Sequence, residues 1–142
     1  MASDPRSYEA DERPVRFPIV GIGASAGGLE ACLAFLTALP SQTGMAFILV
    51  QHLEPNYESH LPEILARGTA MPVVPAKDGV RVEKDRLYVI PPNVMMTIKG
   101  GALRLSPRAE SPNPYYPIDQ FLLSLAEDQG SHAIGVILSG SS

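Results

Sequence analysis

Apolar residues in this chain fall into short unbroken runs that alternate with stripes at helical spacing. Phe17-Pro18-Ile19-Val20-Gly21-Ile22 is β-branched and uncharged, which predicts a buried strand. A glycine-rich turn follows, and then Leu29, Cys32, Leu33 and Leu36 recur every three to four positions, predicting a helix that Pro40 stops. Ala46-Phe47-Ile48-Leu49-Val50 predicts a second buried strand. Leu61, Ile64 and Leu65 mark a second helix with Gly68 at its C-terminal cap, and Pro72-Val73-Val74 a third strand. This βαβαβ order implies a parallel sheet with right-handed crossovers.

The middle of the chain changes character. Residues 86–90, 94–98 and 103–105 read as short strands, with Gly100-Gly101 as the hairpin turn between the last two. Residues 106–116 read as a proline-rich loop. Pro117 suits the first position of a helix whose stripe is Ile118, Phe121, Leu122 and Leu125 and which Gly130 ends. Residues 133–138 form a further buried run. The predicted fold is therefore α/β: an open, mostly parallel, doubly wound (Rossmann-like) sheet with a short antiparallel hairpin insertion. Residues 1–16 are polar and of mixed charge and read as a flexible tail, leaving 17–142 as the domain.

Composition narrows the function. The 142 residues are 45% hydrophobic and 18% charged, as in a globular domain. A net charge of −4 argues against a nucleic-acid partner, which needs a basic face. One cysteine, Cys32, excludes an internal disulfide and a multi-thiolate zinc site; its place on the first helical stripe reads as core packing. The three histidines, His52, His60 and His132, make no metal-binding pair, so no metal and no cofactor is expected. No run approaches the roughly 18 apolar residues of a membrane span, and there is no signal-peptide core, so the expected location is cytoplasmic, without membrane insertion.

The glycine turn carries the chemistry. Gly23-Ala24-Ser25-Ala26-Gly27 is a G-x-S-x-G nucleophile elbow, and Gly21-Ile22-Gly23-Ala24-Ser25-Ala26 is at the same time a G-x-G-x-x-A dinucleotide fingerprint. Both need a tight turn of small residues aimed by a helix N-terminus at negative charge, either a phosphate or an oxyanion. The end of the second strand separates them. A dinucleotide site wants an acid there to hold the ribose, whereas this chain has Val50-Gln51-His52, with no acid before Glu54. Two neighbouring parallel strands would instead deliver Ser25 and His52 to one carboxyl edge, where a serine finds the base it needs to become a nucleophile. An ordinary α/β hydrolase is disfavoured, because its elbow comes late in the chain.

Gly21 to Gly28, followed by Val50-Gln51-His52-Leu53, Tyr88-Val89-Ile90-Pro91-Pro92, Pro117-Ile118-Asp119 and Gly135-Val136-Ile137-Leu138-Ser139-Gly140, resembles the CheB-type chemotaxis methylesterases over nearly all of residues 17–142. Gly28-Leu29-Glu30-Ala31 and residues 125–130 look most like the version fused to a chemoreceptor methyltransferase and sensor domains. The resemblance implies hydrolysis of glutamyl γ-methyl esters, sometimes with glutamine deamidation, on the cytoplasmic helices of methylated chemoreceptors. It implies Ser25 as nucleophile and His52 as general base, with backbone N–H groups of Ala26 and Gly27 as candidates for the oxyanion hole. The family's third residue is an aspartate just after the Leu-Ser-Gly segment. The sequence stops at Ser142 before it, so the resemblance implies a domain incomplete at its C-terminus, marginal in stability and weakly active; losing that acid can cost about 10⁴ in rate. Asp119 is a candidate accessory acid, although a carboxylate in the first turn of a helix is favoured by the dipole in any case. His60 and His132 read as surface or capping residues. Tyr115-Tyr116 reads equally as a recognition edge or as loop packing. The competing readings are a phosphate- or nucleotide-binding module using the same turn, and a non-catalytic signalling module.

Overall fold

A computed structural model describes residues 15–25, 28–51, 61–108 and 116–138. Its centre is a parallel sheet of five strands in the order β3-β4-β2-β1-β7. These are β1 (Ile19–Ala24), β2 (Ala46–Gln51), β3 (Val73–Pro75), β4 (Leu87–Val89) and β7 (Ala133–Leu138). β5 (Val94–Lys99) and β6 (Ala102–Pro107) form a separate antiparallel pair. The helices are α1 (Leu29–Thr37), α2 (Leu61–Ala66) and α3 (Pro117–Gln129), the last leading through a 3₁₀ turn at Gly130–His132 into β7.

Strand alternation sorts the core into two layers. Val20, Ile22 and Ala24 of β1 and Phe47 and Leu49 of β2 point to one side, where Cys32 and Leu36 of α1 and Leu61 and Leu65 of α2 cover them. Ile19, Ala46, Ile48 and Val50 point to the other, against Phe121 and Leu125 of α3 and Met96, Ile98 and Leu103 of the hairpin. Both faces of β1 and β2 are therefore covered, as expected of a doubly wound fold, whereas β7, a run that reads as buried in the sequence, is partly open to solvent at the sheet edge among the described strands, with Ile134 and Ile137 40% and 65% exposed. Burying a side chain such as Phe121, which has no exposed surface, contributes about 1.5–3 kcal/mol.

Four local features refine the expectations from sequence. The run at 86–90 does not belong with the hairpin: β4 inserts between β2 and β3, parallel to both. Leu87 and Val89 fill one core layer and Tyr88 the other, so this short strand is apolar on both faces and suits the sheet interior. Asp85, at a left-handed φ of 61°, ties it in register, accepting the N–H groups of Thr43 and Gly44 just before β2 at 2.8 and 2.9 Å. β3, half-exposed and closed by Pro75, lies at the sheet edge among the described strands, where a missing N–H is tolerated. Gly68 does follow α2, but it is not among the residues with left-handed φ; a Cβ there would lie 3.0 Å from Leu33 of α1, so the glycine serves close helix packing. β6 runs on through Ser106 and Pro107, longer than its apolar core suggested.

The hairpin turn and the end of α3 are joined through one side chain. Gly100 and Gly101 both have left-handed φ (62° and 76°), as a two-residue hairpin turn requires. Asp128 accepts their two N–H groups at 2.6 and 3.0 Å. Burial alone would raise the Asp128 pKa, but hydrogen bonds from Gln129, Gly100 and Gly101 and the nearby Arg81 charge outweigh it and hold the carboxyl below its ordinary 3.8. A depressed pKa means that the ionised carboxylate stabilises the fold above that ordinary value, and that this contribution is lost as pH falls through the lower folded value. Asp128→Asn is expected to cost about 1–3 kcal/mol in urea denaturation at pH 7, with the gap to wild type narrowing below roughly pH 4.

Candidate active site

Ser25 emerges one residue past the end of β1 and is exposed, whereas all six residues of the strand before it are buried. It opens a tight turn: the Gly28 N–H donates to the Ser25 carbonyl oxygen at 2.8 Å, and α1 begins at the next residue, Leu29. The hydroxyl thus stands at the carboxyl edge of the sheet, beside the N-terminus of a helix, where the unpaired N–H groups of the first turn favour developing negative charge.

β1 and β2 are parallel and in register from Ile19↔Ala46 to Ala24↔Gln51. Both strands therefore end at the same rim, the residue after Ala24 being Ser25 and the residue after Gln51 being His52. His52 itself lies outside the described residues, as do Ala26, Gly27, His60 and Tyr115. Gln51 reaches the site directly. Its side-chain Nε2 donates to the Ser25 carbonyl oxygen at 3.4 Å. No role for Gln51 follows from reading the motif alone. The available signal was a carboxamide at an inward-facing position of an otherwise apolar strand.

The glycines of the dinucleotide fingerprint have another use. Gly21 and Gly23 both lie inside β1 rather than in the turn. A Cβ on Gly21 would come within 2.7 Å of Leu122, and one on Gly23 within 2.5 Å of Ile118. Bare backbone on this face lets α3 press directly on β1. Because Ile118 meets Gly23 while Leu125 meets Gly21, the N-terminal end of α3 lies toward the carboxyl end of β1. Asp119, exposed in the first turn of α3, is on that helix end.

The other singled-out residues stand apart from this rim. His132 is exposed in the 3₁₀ turn before β7, and Ala133 pairs with Ile19, so it lies at the opposite, amino edge of the sheet. That is roughly 20 Å from Ser25, the length of a six-residue strand. Cys32 is buried in the α1 layer, and burial pushes its thiol up to about 11, consistent with packing rather than reactivity. Tyr116 is 58% exposed just before α3. A groove of about 830 Å³ lined by Arg16, Phe17, Pro18, Gly44, Arg81, Val82, Glu83 and Lys84 also lies at the amino edge. Among the described residues no cluster of His, Cys, Asp or Glu could hold a metal ion, and no helix is long and apolar enough to cross a membrane.

Comparison with known proteins bears on this geometry. The family model described as CheB methylesterase matches residues 20–142. The chain is 35% identical over 126 residues to a protein-glutamate methylesterase/protein-glutamine glutaminase of Rhizobium etli, covering 86% of this chain and 36% of that protein. It is 41% identical over 81 residues to an uncharacterized 104.1 kDa protein of Rhodobacter capsulatus, covering 57% of this chain and 8% of the relative. The chain thus spans about a third of the methylesterase it matches and a small part of the larger relative. Among solved structures, the Thermotoga maritima CheB methylesterase catalytic domain superposes with a TM-score of 0.75 at 27% identity, covering 90% of this chain and 70% of that domain.

The contact of Gly23 with α3 is open to mutation. Gly23→Ala is expected to lower stability by about 1–3 kcal/mol in thermal or urea denaturation, because the new methyl overlaps Ile118. Combining it with Ile118→Ala should cost less than the sum of the two single changes.

Proposed function

This chain belongs to the CheB methylesterase family, and we propose that it carries the nucleophile and base of a serine esterase that hydrolyses glutamate γ-methyl esters on protein side chains. The observation that carries the reading is the position of Ser25: exposed, one residue beyond a buried strand, in a tight turn that opens a helix. In this reading His52, which follows the strand in register with β1, takes the Ser25 proton as Oγ attacks the ester carbonyl. Backbone N–H groups of Ala26 and Gly27 stabilise the tetrahedral oxyanion. Collapse returns the proton to the leaving methoxide, releasing methanol and leaving an ester on Ser25. Water, deprotonated by His52, then frees the glutamate carboxylate and restores the serine. The same steps with ammonia as leaving group deamidate glutamine, in keeping with the double name of the Rhizobium relative. Asp119 has a subordinate place as accessory acid at the helix end near this rim.

The protein substrate of this reading is the methylated cytoplasmic helices of chemoreceptors, which places the domain in the cytoplasm. The small share of the 104.1 kDa Rhodobacter protein covered by the match suits placement beside methyltransferase and sensor domains in a longer chain. A phosphate- or nucleotide-binding role is less well supported, since Gly21 and Gly23 lie within the strand and face α3.

A fluorophosphonate probe tests the reading. The intact protein should label covalently on Ser25, Ser25→Ala should not label, and His52→Ala should label about 10²- to 10⁴-fold more slowly. Labelling that persists in Ser25→Ala, or nucleotide binding with no labelling of the wild type, would contradict it.

A further inference from the structure

We propose that Gln51 is a positioning residue that fixes the backbone of Ser25 and so aims the nucleophile's hydroxyl. The inference rests on Ser25 acting as the nucleophile and adds to that reading a residue that touches neither substrate nor proton.

Gln51 is placed unusually for its chemistry. Apart from the Tyr88 phenol, it is the only polar or charged side chain in the buried set among the described residues, at 6% exposure. The rest of β2, Ala46-Phe47-Ile48-Leu49-Val50, is apolar. A buried carboxamide costs free energy unless its hydrogen-bonding groups are used, so an apolar residue would be the simpler filling for this position. The partner it has is the backbone of the candidate nucleophile. Nε2 lies 3.4 Å from the Ser25 carbonyl oxygen, and that oxygen also accepts the Gly28 N–H at 2.8 Å. A carbonyl oxygen has two lone pairs, so these two donors fill its capacity.

The consequence lies in the Ser25 backbone. Holding its carbonyl from two sides, by the β2 amide and by the Gly28 N–H at the start of α1, restrains the backbone of Ser25 and with it the direction in which its hydroxyl leaves the turn. The turn bond from Gly28 is local to the elbow, and the Gln51 bond ties the elbow to the neighbouring strand. The Gln51 backbone is paired with Ala24, so one residue holds the candidate nucleophile to the rigid edge of the sheet.

The test is the kinetics of fluorophosphonate labelling of the intact protein, comparing wild type with Gln51→Met, which keeps the length and loses the donor, and with Gln51→Glu, which when ionised cannot donate. Three quantities are read: the rate constant, the labelled fraction at the endpoint, and the pH at which the rate is half-maximal. The expected result is a rate constant reduced about 10- to 100-fold in both variants, with full endpoint labelling and, in Gln51→Met, an unchanged pH midpoint. Two results would overturn the proposal. One is a rate constant equal to wild type. The other is a lowered endpoint with an unchanged rate constant, which marks a folding role only. Absence of labelling in the wild type itself would instead remove the nucleophile reading, and this inference with it.

Discussion

The parallel pairing of β1 with β2 is the constraint on which the site depends. Six consecutive register pairs, ending at Ala24↔Gln51, bring two strand ends to one rim. The described candidate residues lie at that rim: Ser25 just past the end of the first strand, and Gln51, at the end of the second, bonded across to the Ser25 backbone. A slip of one residue between these strands would exchange the faces of β2, turning Ile48 and Val50 toward α1 and Phe47 and Leu49 toward α3. The two differently filled core layers therefore protect the register, and the register protects the site.

β1 turns two bare glycines toward α3. Gly21 and Gly23 allow α3 to lie against bare backbone, which directs its N-terminal end toward the carboxyl end of β1. The N-terminus of α1 is at the same rim, directly after the Ser25 turn. Helix N-termini carry partial positive charge, so a reaction that passes through an anion is favoured at this edge before any side chain acts. The hairpin of β5 and β6 contributes at a distance: it packs against α3 and is fastened to it by Asp128, which steadies the helix.

Much of this was legible in the residues themselves. The β-branched runs at β1 and β2, the stripe Ile118, Phe121, Leu122 and Leu125, Pro117 at the start of α3 and Gly130 at its end all correspond to elements found at those places. The paired glycines of the hairpin turn adopt the left-handed φ that their sequence suggested. The position of β4 was not legible, because a three-residue run of Leu87, Tyr88 and Val89 suits a buried strand in either sheet, and its partner is selected by the distant contact of Asp85 with Thr43 and Gly44. Gly21 and Gly23 were ambiguous for a related reason. A glycine required by a phosphate and one required by a helix are identical in sequence, and only the approach of Leu122 and Ile118 separates them. Gln51 had no readable role, since its meaning lies in a bond to a backbone atom 26 residues earlier.

The most direct measurement of the central claim is a double-mutant cycle between the two strand ends. Hydrolysis of a glutamate γ-methyl ester would be followed in the intact protein as wild type, Ser25→Ala, His52→Ala and the double variant. Groups that act together at one rim predict that the double variant is no slower than the worse single variant. Losses that multiply would mean that the serine and the histidine act independently, and would contradict the account.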